Sequence, residues 1–237
     1  IIPNVLSEDL CNKLHKKIIE LSQKEKQKKV AYIYGQGNNQ RIFNLISKDK
    51  NFTKLVYHPL VVEVMDFLFQ RKTLHDKYYL SSFHSNIISQ GSDDEVLHID
   101  AAVPEPIPKW IIRANVNFII HDYNEDNGAT KVLPKSHKFN RIPKRYINYN
   151  YKLKSLKAPK GSLVFWHGHL WHSSGRNYTL KPRIALLGCY AASFLREMSL
   201  EENHFEVMPK RIKNSMPNQM KRVLGGFHGI KKGSILK

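Results

Sequence analysis

The feature that most constrains this chain lies between residues 77 and 196. There the apolar residues fall into short runs, at 78–89, 96–102, 110–121, 161–166 and 182–192. Turn-forming residues separate them: Gln90-Gly91-Ser92, Pro104 to Pro108, Asn124 to Gly128, and Ser173 to Asn177. Runs of this length with breaks at this spacing predict antiparallel strands closing into a β-sandwich or barrel. Residues 136–160 interrupt the pattern with a polar, basic, tyrosine-rich excursion. A long loop of that kind suits a lid or binding loop.

Helices are expected on both sides of the strands, giving an α+β chain. Ser7 reads as an N-cap, with Glu8 and Asp9 in the first turn. Leu10, Leu14, Ile18 and Leu21 then mark one helical face, and the basic run 24–29 ends it. A second helix should open at Pro59 and run through Val64 and Leu68. Near the end Pro217 should open a short helix and Gly225 close it. The expected organisation is a single domain over 1–237. A helical part covers about 1–76, a β core about 77–196 and a helical extension about 197–237.

Composition excludes some classes. No apolar run approaches the ~18 residues of a membrane-spanning helix. Two cysteines, Cys11 and Cys189, are too few for a disulfide framework. They read as structural thiols and favour a reducing, cytoplasmic setting. The chain starts at Ile1, so a targeting segment would not be seen. The net charge is +18, and no acidic residue lies between Asp126 and Glu197. A field of this sign attracts anions, whether an anionic small molecule or nucleic acid. The plainer reading is a lysine-rich solvated face.

The chemistry starts from His98-Ile99-Asp100. On a strand, residues two apart share a face, so both side chains could hold one metal. His172, after the apolar run Ser162 to Trp166, can supply a third ligand; His167 and His169 compete for that position. Two imidazoles and a carboxylate suit a non-haem iron(II) oxygenase with open coordination positions. The same set could hold zinc for hydrolysis. Arg183, eleven residues after His172 (183 − 172) and across a turn, could return beside the metal. Arginine pairs bidentately with carboxylates, so it could anchor the far end of a metal-bound dicarboxylate. Arg113, Asn115 and Asn117 alternate with apolar residues and give their strand one polar face. That face either lines a pocket or meets solvent. The remaining histidines, His137 among them, read as surface or loop residues.

Taken in order, these segments resemble the phytanoyl-CoA dioxygenase family of iron(II)/2-oxoglutarate oxygenases. The likeness runs from about Gln40 to Arg196. It rests on Leu97-His98-Ile99-Asp100, Asp126-Asn127-Gly128-Ala129-Thr130, Leu133-Pro134-Lys135-Ser136-His137-Lys138, Gly161 to Trp166, Trp171-His172-Ser173-Ser174-Gly175 and Pro182-Arg183. The resemblance implies a double-stranded β-helix (jelly-roll, cupin-like) core with flanking N- and C-terminal helices. It implies iron(II) on His98, Asp100 and His172, and 2-oxoglutarate anchored by Arg183 with Ser174 beside it. Asn117, Asn86 and Thr130 are further implied cosubstrate contacts. Lys135 stands where a glycine is usual, which reads as a loosened turn requirement. The implied activity is oxidation, most simply hydroxylation, of a C–H bond in a small molecule, consuming dioxygen and releasing succinate and CO2. The retained Asp100 argues against halogenation. An anionic substrate is expected from the charge. Alternatives are a 2-oxoglutarate oxygenase acting on nucleic acid and a metal-dependent hydrolase on the same three ligands. Substrate identity and oligomeric state are not written in the residues.

Overall fold

The computed structural model describes residues 1–70, 77–101, 103–144, 147–149, 152–195, 202 and 204–224. Helix α1 (Glu8–Gln27) opens as expected: the Ser7 hydroxyl accepts from the Leu10 amide at 3.3 Å, and Glu8 and Asp9 sit against the positive helix end. Its buried stripe is Cys11, Leu14, Ile18 and Ser22, one position round from the expected face, so Leu10 and Leu21 flank the contact half-buried. Helix α2 (Lys50–Val56) was not anticipated; Asp49 caps it by accepting from the Asn51 amide at 2.8 Å. Helix α3 (Pro59–Leu68) starts on its proline, which has no amide hydrogen to leave unpaired there. Helices α4 (His204–Val207), α5 (Lys210–Asn214) and α6 (Asn218–Val223) follow the β core, with Pro217 immediately before α6. Gly225 lies outside the described residues. No described helix is long and apolar enough to cross a membrane.

Among the described residues nine strands form two antiparallel sheets. They are β1 (Tyr32–Tyr34), β2 (Asn39–Ile42), β3 (Tyr78–Ile88), β4 (Arg113–Phe118), β5 (Lys131–Val132), β6 (Lys154–Ser155), β7 (Leu163–His167), β8 (His172–Ser173) and β9 (Arg183–Ala192). The large sheet has the order β1-β2-β3-β9-β4-β7, and the small one β6-β5-β8. Apart from the β1-β2 hairpin, neighbouring strands in the large sheet are far apart in sequence, as a double-stranded β-helix requires.

Strand β4 shows how the layers are built. It is buried at every position. Ala114, Val116 and Phe118 join the main core, where α1, α2 and α3 bring Leu14, Ile18, Phe52 and Met65 against Phe83, Leu186 and Tyr190. Arg113, Asn115 and Asn117 point the other way, and none meets solvent: Asn115 is 0% exposed. A second, smaller core of Ile119, Tyr123, Ala129, Ala158, Val164, Trp166 and Ala185 lies on the other side. Alternation along one strand therefore separates the helix-facing packing from the face that carries the polar groups.

Two expectations need correction. Residues 96–101 are not a strand: His98 makes an isolated bridge to His172, and the Asp100 and Ala101 amides both turn to the Gly168 carbonyl (3.0 and 3.1 Å) instead of a strand neighbour. Ala102, the last residue of that expected strand, lies outside the described residues. The turn at Lys135 is not loosened either. Lys135 adopts φ 67°, ψ 0°, the left-handed conformation that favours glycine. Both cysteines are buried, and neither forms a disulfide.

Candidate active site

Ligand-capable atoms of His98, Asp100 and His172 lie within 4.8 Å of one another. Backbone pairing brings the histidines together. The His98 amide donates to the His172 carbonyl at 3.0 Å, and the His172 amide returns the bond at 2.9 Å. Their ring centroids are 4.4 Å apart. Nδ1 of His98 lies 2.8 Å from the Val96 carbonyl, and Nδ1 of His172 lies 2.9 Å from the Leu170 carbonyl. A ring nitrogen facing a carbonyl must carry the hydrogen. In the neutral imidazole, the form that binds a metal, each Nε2 is thereby left as a lone pair on the side of the other two groups.

Asp100 completes the set. One carboxylate oxygen lies 3.3 Å from His172 Nε2, and the other 3.9 Å from His98 Nε2. Asn115 donates to Asp100 Oδ2 at 2.6 Å. Burial alone would raise the Asp100 carboxyl; His172, Arg113, His98 and the Asn115 hydrogen bond outweigh it and hold the group below its usual range. Asp100 is therefore a carboxylate ready to ligate. Gly168 sutures this loop to β4. Its carbonyl accepts the two loop amides, its own amide donates to the Arg113 carbonyl at 2.8 Å, and a Cβ there would sit 2.6 Å from Arg113. Only glycine allows that approach.

The three ligands open onto a cavity of about 100 Å³. It is lined by the large sheet through Asn86, Asn115, Trp166, Arg183 and Leu187, and by the small-sheet side through Thr130, His172 and Ser174. Arg183 is 2% exposed, and its guanidinium donates to the Ser174 hydroxyl and lies over the Tyr123 ring. Its Nε has no partner, and among the described residues no acidic side chain pairs with it. A buried cation left in that condition is costly unless a ligand anion neutralises it. The residues therefore fit a metal at one end of the cavity and a carboxylate at the other.

Of the residues marked in the sequence, His98, Asp100, His172, Arg183, Ser174, Asn86 and Thr130 line this one cavity. Asn117 does not. It is buried at 2% in the row with His84 and Leu187, and its Oδ1 lacks a partner. Asn115, one alternation earlier on the same face, takes the position beside Asp100. His167 and His169 stay away from the ligand set. They cluster with His137, with ring centroids 4.5 and 5.4 Å apart along the group, and burial pushes both down to about 4. His84 in β3 and His204 in α4 are buried, against the expectation that the remaining histidines are surface or loop residues; His169 is buried in the turn after β7. Sequence reasoning missed Arg41, Glu95 and Trp166 in the cavity wall. Arg41 sits in a strand of four residues, too short to show a period.

Comparison with known proteins agrees with this geometry. Residues 1–185 match the family model described as phytanoyl-CoA dioxygenase (PhyH). Among curated relatives, a protein named dioxygenase af480 from Aspergillus fumigatus is 28% identical over 193 residues, covering 80% of this chain and 60% of its own. Dioxygenase FUM3 from Gibberella moniliformis is 27% identical over 197 residues, covering 79% and 60%. The chain thus spans about 60% of the length of these relatives. Among solved structures, HygX from Streptomyces hygroscopicus, with nickel and 2-oxoglutarate bound, has a TM-score of 0.66 at 13% identity, covering 81% of this chain and 82% of that one. The non-haem carbocyclase SnoK from nogalamycin biosynthesis has a TM-score of 0.64 at 18% identity, covering 81% and 78%. The structures share the fold, and the family model takes in both histidine-ligand segments and Arg183: the chain belongs to the phytanoyl-CoA dioxygenase family.

Proposed function

We propose that this protein is an iron(II)- and 2-oxoglutarate-dependent dioxygenase that oxidises a C–H bond of a small molecule. The observation that carries the reading is Arg183: a buried guanidinium that no acidic side chain among the described residues pairs with, in the same cavity as three converging candidate metal ligands. His98, Asp100 and His172 would hold the iron. Arg183, steadied by Ser174, would pair with the far carboxylate of 2-oxoglutarate. Asn115 keeps Asp100 in its ligating orientation. Ala185 and Leu187 give the cavity an apolar floor that keeps bulk water from the reacting atoms. When bound, iron(II) with 2-oxoglutarate and dioxygen supplies the oxidising power, with succinate and CO2 as by-products. A zinc hydrolase on the same ligands leaves the Arg183 charge, which has no acidic partner among the described residues, without a role.

The substrate belongs to the same proposal. An anionic small molecule is supported by the acid-free stretch, which places exposed Lys135, Lys138, Arg141 and Lys144 on one excursion. The Arg141 guanidinium stands over Trp171, the neighbour of His172. Neutralising Arg141 and Lys144 should raise KM and flatten its salt dependence; turnover indifferent to both changes removes the anionic reading. For the activity itself, iron(II) and 2-oxoglutarate are added to the apo-protein without oxygen. A weak visible charge-transfer band should appear, and succinate should form on admitting air. Neither band nor succinate overturns the assignment.

A further inference from the structure

Arg41 also lines the cavity, and no acidic side chain pairs with it among the described residues. Its place follows from the register. Arg41 on β2 lies opposite Asn86 on β3, and Asn86 lies opposite Ala185 on β9. Ala185 is two residues from Arg183 on the same face, so Arg41 and Asn86 belong to the end of the cavity that Arg183 occupies. The strand beneath is fixed from its other side. Gln40 accepts from Ser22 at 2.6 Å and donates to Glu25 at 3.3 Å, which ties β2 to α1. The guanidinium is held between aromatic rings, 5.5 Å from the Tyr34 centroid and 5.8 Å from that of Phe43.

Arg41 Nε lies 2.8 Å from Asn86 Oδ1. An arginine nitrogen can only donate, so the atom facing it must be the amide oxygen. That fixes the orientation of the Asn86 amide without reference to any other group. The NH2 is then turned away from Arg41, where it makes no hydrogen bond to a described residue, and the side chain lines the cavity. We propose that Arg41 is a positioning residue for the cosubstrate: through Asn86 it presents two amide hydrogens, and no acceptor, to the oxoacid that Arg183 anchors. An amide free to turn would offer its oxygen to a carboxylate half the time and repel it. The inference rests on the 2-oxoglutarate reading above.

The test is an anaerobic titration of the iron(II)-loaded protein with 2-oxoglutarate, read from the visible band, in wild type, Arg41→Gln, Asn86→Ala and the double variant. Arg41→Gln should weaken 2-oxoglutarate about 10-fold, as loss of one charge-linked hydrogen bond would. In the Asn86→Ala background the same change should add less than about 2-fold, and iron(II) affinity should be equal in all four proteins. Arg41→Lys, whose ammonium also can only donate, should recover part of the affinity lost in Arg41→Gln, and Arg41→Met serves if the glutamine variant folds poorly. An unchanged affinity in Arg41→Gln, or an equal loss with and without Asn86, overturns the positioning role. A wild-type protein that forms no band refutes the proposed function instead.

Discussion

Replacing Asn115 by leucine separates support of the metal site from support of the fold. Asn115 is fully buried; its NH2 donates at 2.6 Å to Asp100, and its Oδ1 has no partner. A hydrogen bond to a charged group contributes about 1.5–3 kcal/mol, and a buried unsatisfied acceptor costs about 1–3 kcal/mol. Leucine removes both and keeps the shape. The two terms offset, so unfolding free energy should change by less than about 1 kcal/mol. Metal binding has no such offset, because Asp100 loses the group that aims it. The affinity for Co(II), a spectroscopic stand-in for iron(II), should fall by about 10–100-fold. Urea denaturation of the apo-protein and a Co(II) absorption titration give the two numbers. A Co(II) affinity within about 3-fold of wild type would mean that β4 does not orient Asp100, and the account of the site would fail there.

Other outcomes follow from the same structure. Lys135→Gly relieves a left-handed lysine at the cost of a more flexible unfolded chain, and should stabilise by about 0.5–1 kcal/mol in urea denaturation. Gly128→Ala combines φ +79° with a Cβ 2.5 Å from the Gly175 carbonyl, and should destabilise by about 3 kcal/mol or more, seen as a large fall in Tm. Ser174→Ala should raise KM for 2-oxoglutarate several-fold with kcat little changed, since Arg183 remains. Burial pushes His121 down to about 4, and its Nε2 accepts from the Ile184 amide at 2.8 Å, so the unfolded chain takes up this proton first as pH falls below about 6.5. Its contribution is complete above that pH and is lost progressively toward 4. Stability should drop by about 1–2 kcal/mol between pH 7 and 5 from this group, and His121→Gln, whose oxygen can still accept, should flatten that slope.

How much of this was legible in the residues varies with length and locality. The long strands β3, β4 and β9 showed their period, α1 showed its cap and α3 its leading proline, because each signal is contained in one segment. Strands β1, β5, β6 and β8 have two to three residues and exist only through their partners. The triad was legible as residue types, but only the family segment Trp171 to Gly175 singled out His172 over His167 and His169, because the backbone bridge that fixes it spans 74 positions (172 − 98) and no local pattern reports it. Asn115 and Asn117 were indistinguishable by alternation, since both lie on one face of β4. What distinguishes Asn115 is register: both its cross-strand neighbours, Trp166 and Cys189, lie in the cavity wall, whereas Asn117 has Leu187 there on one side and Val164, outside it, on the other.

That reciprocal bridge between His98 and His172 also bears on how metal is handled. Two of the three ligands are already fixed to each other by main-chain bonds, so the coordination site is an equilibrium property of the apo-fold. Metal exchange in such a protein is governed by ligand-field preference and supply, and not by a refolding step. A chelator should strip the ion and leave a folded chain ready to take up a different divalent cation, with the far-ultraviolet spectrum unchanged throughout.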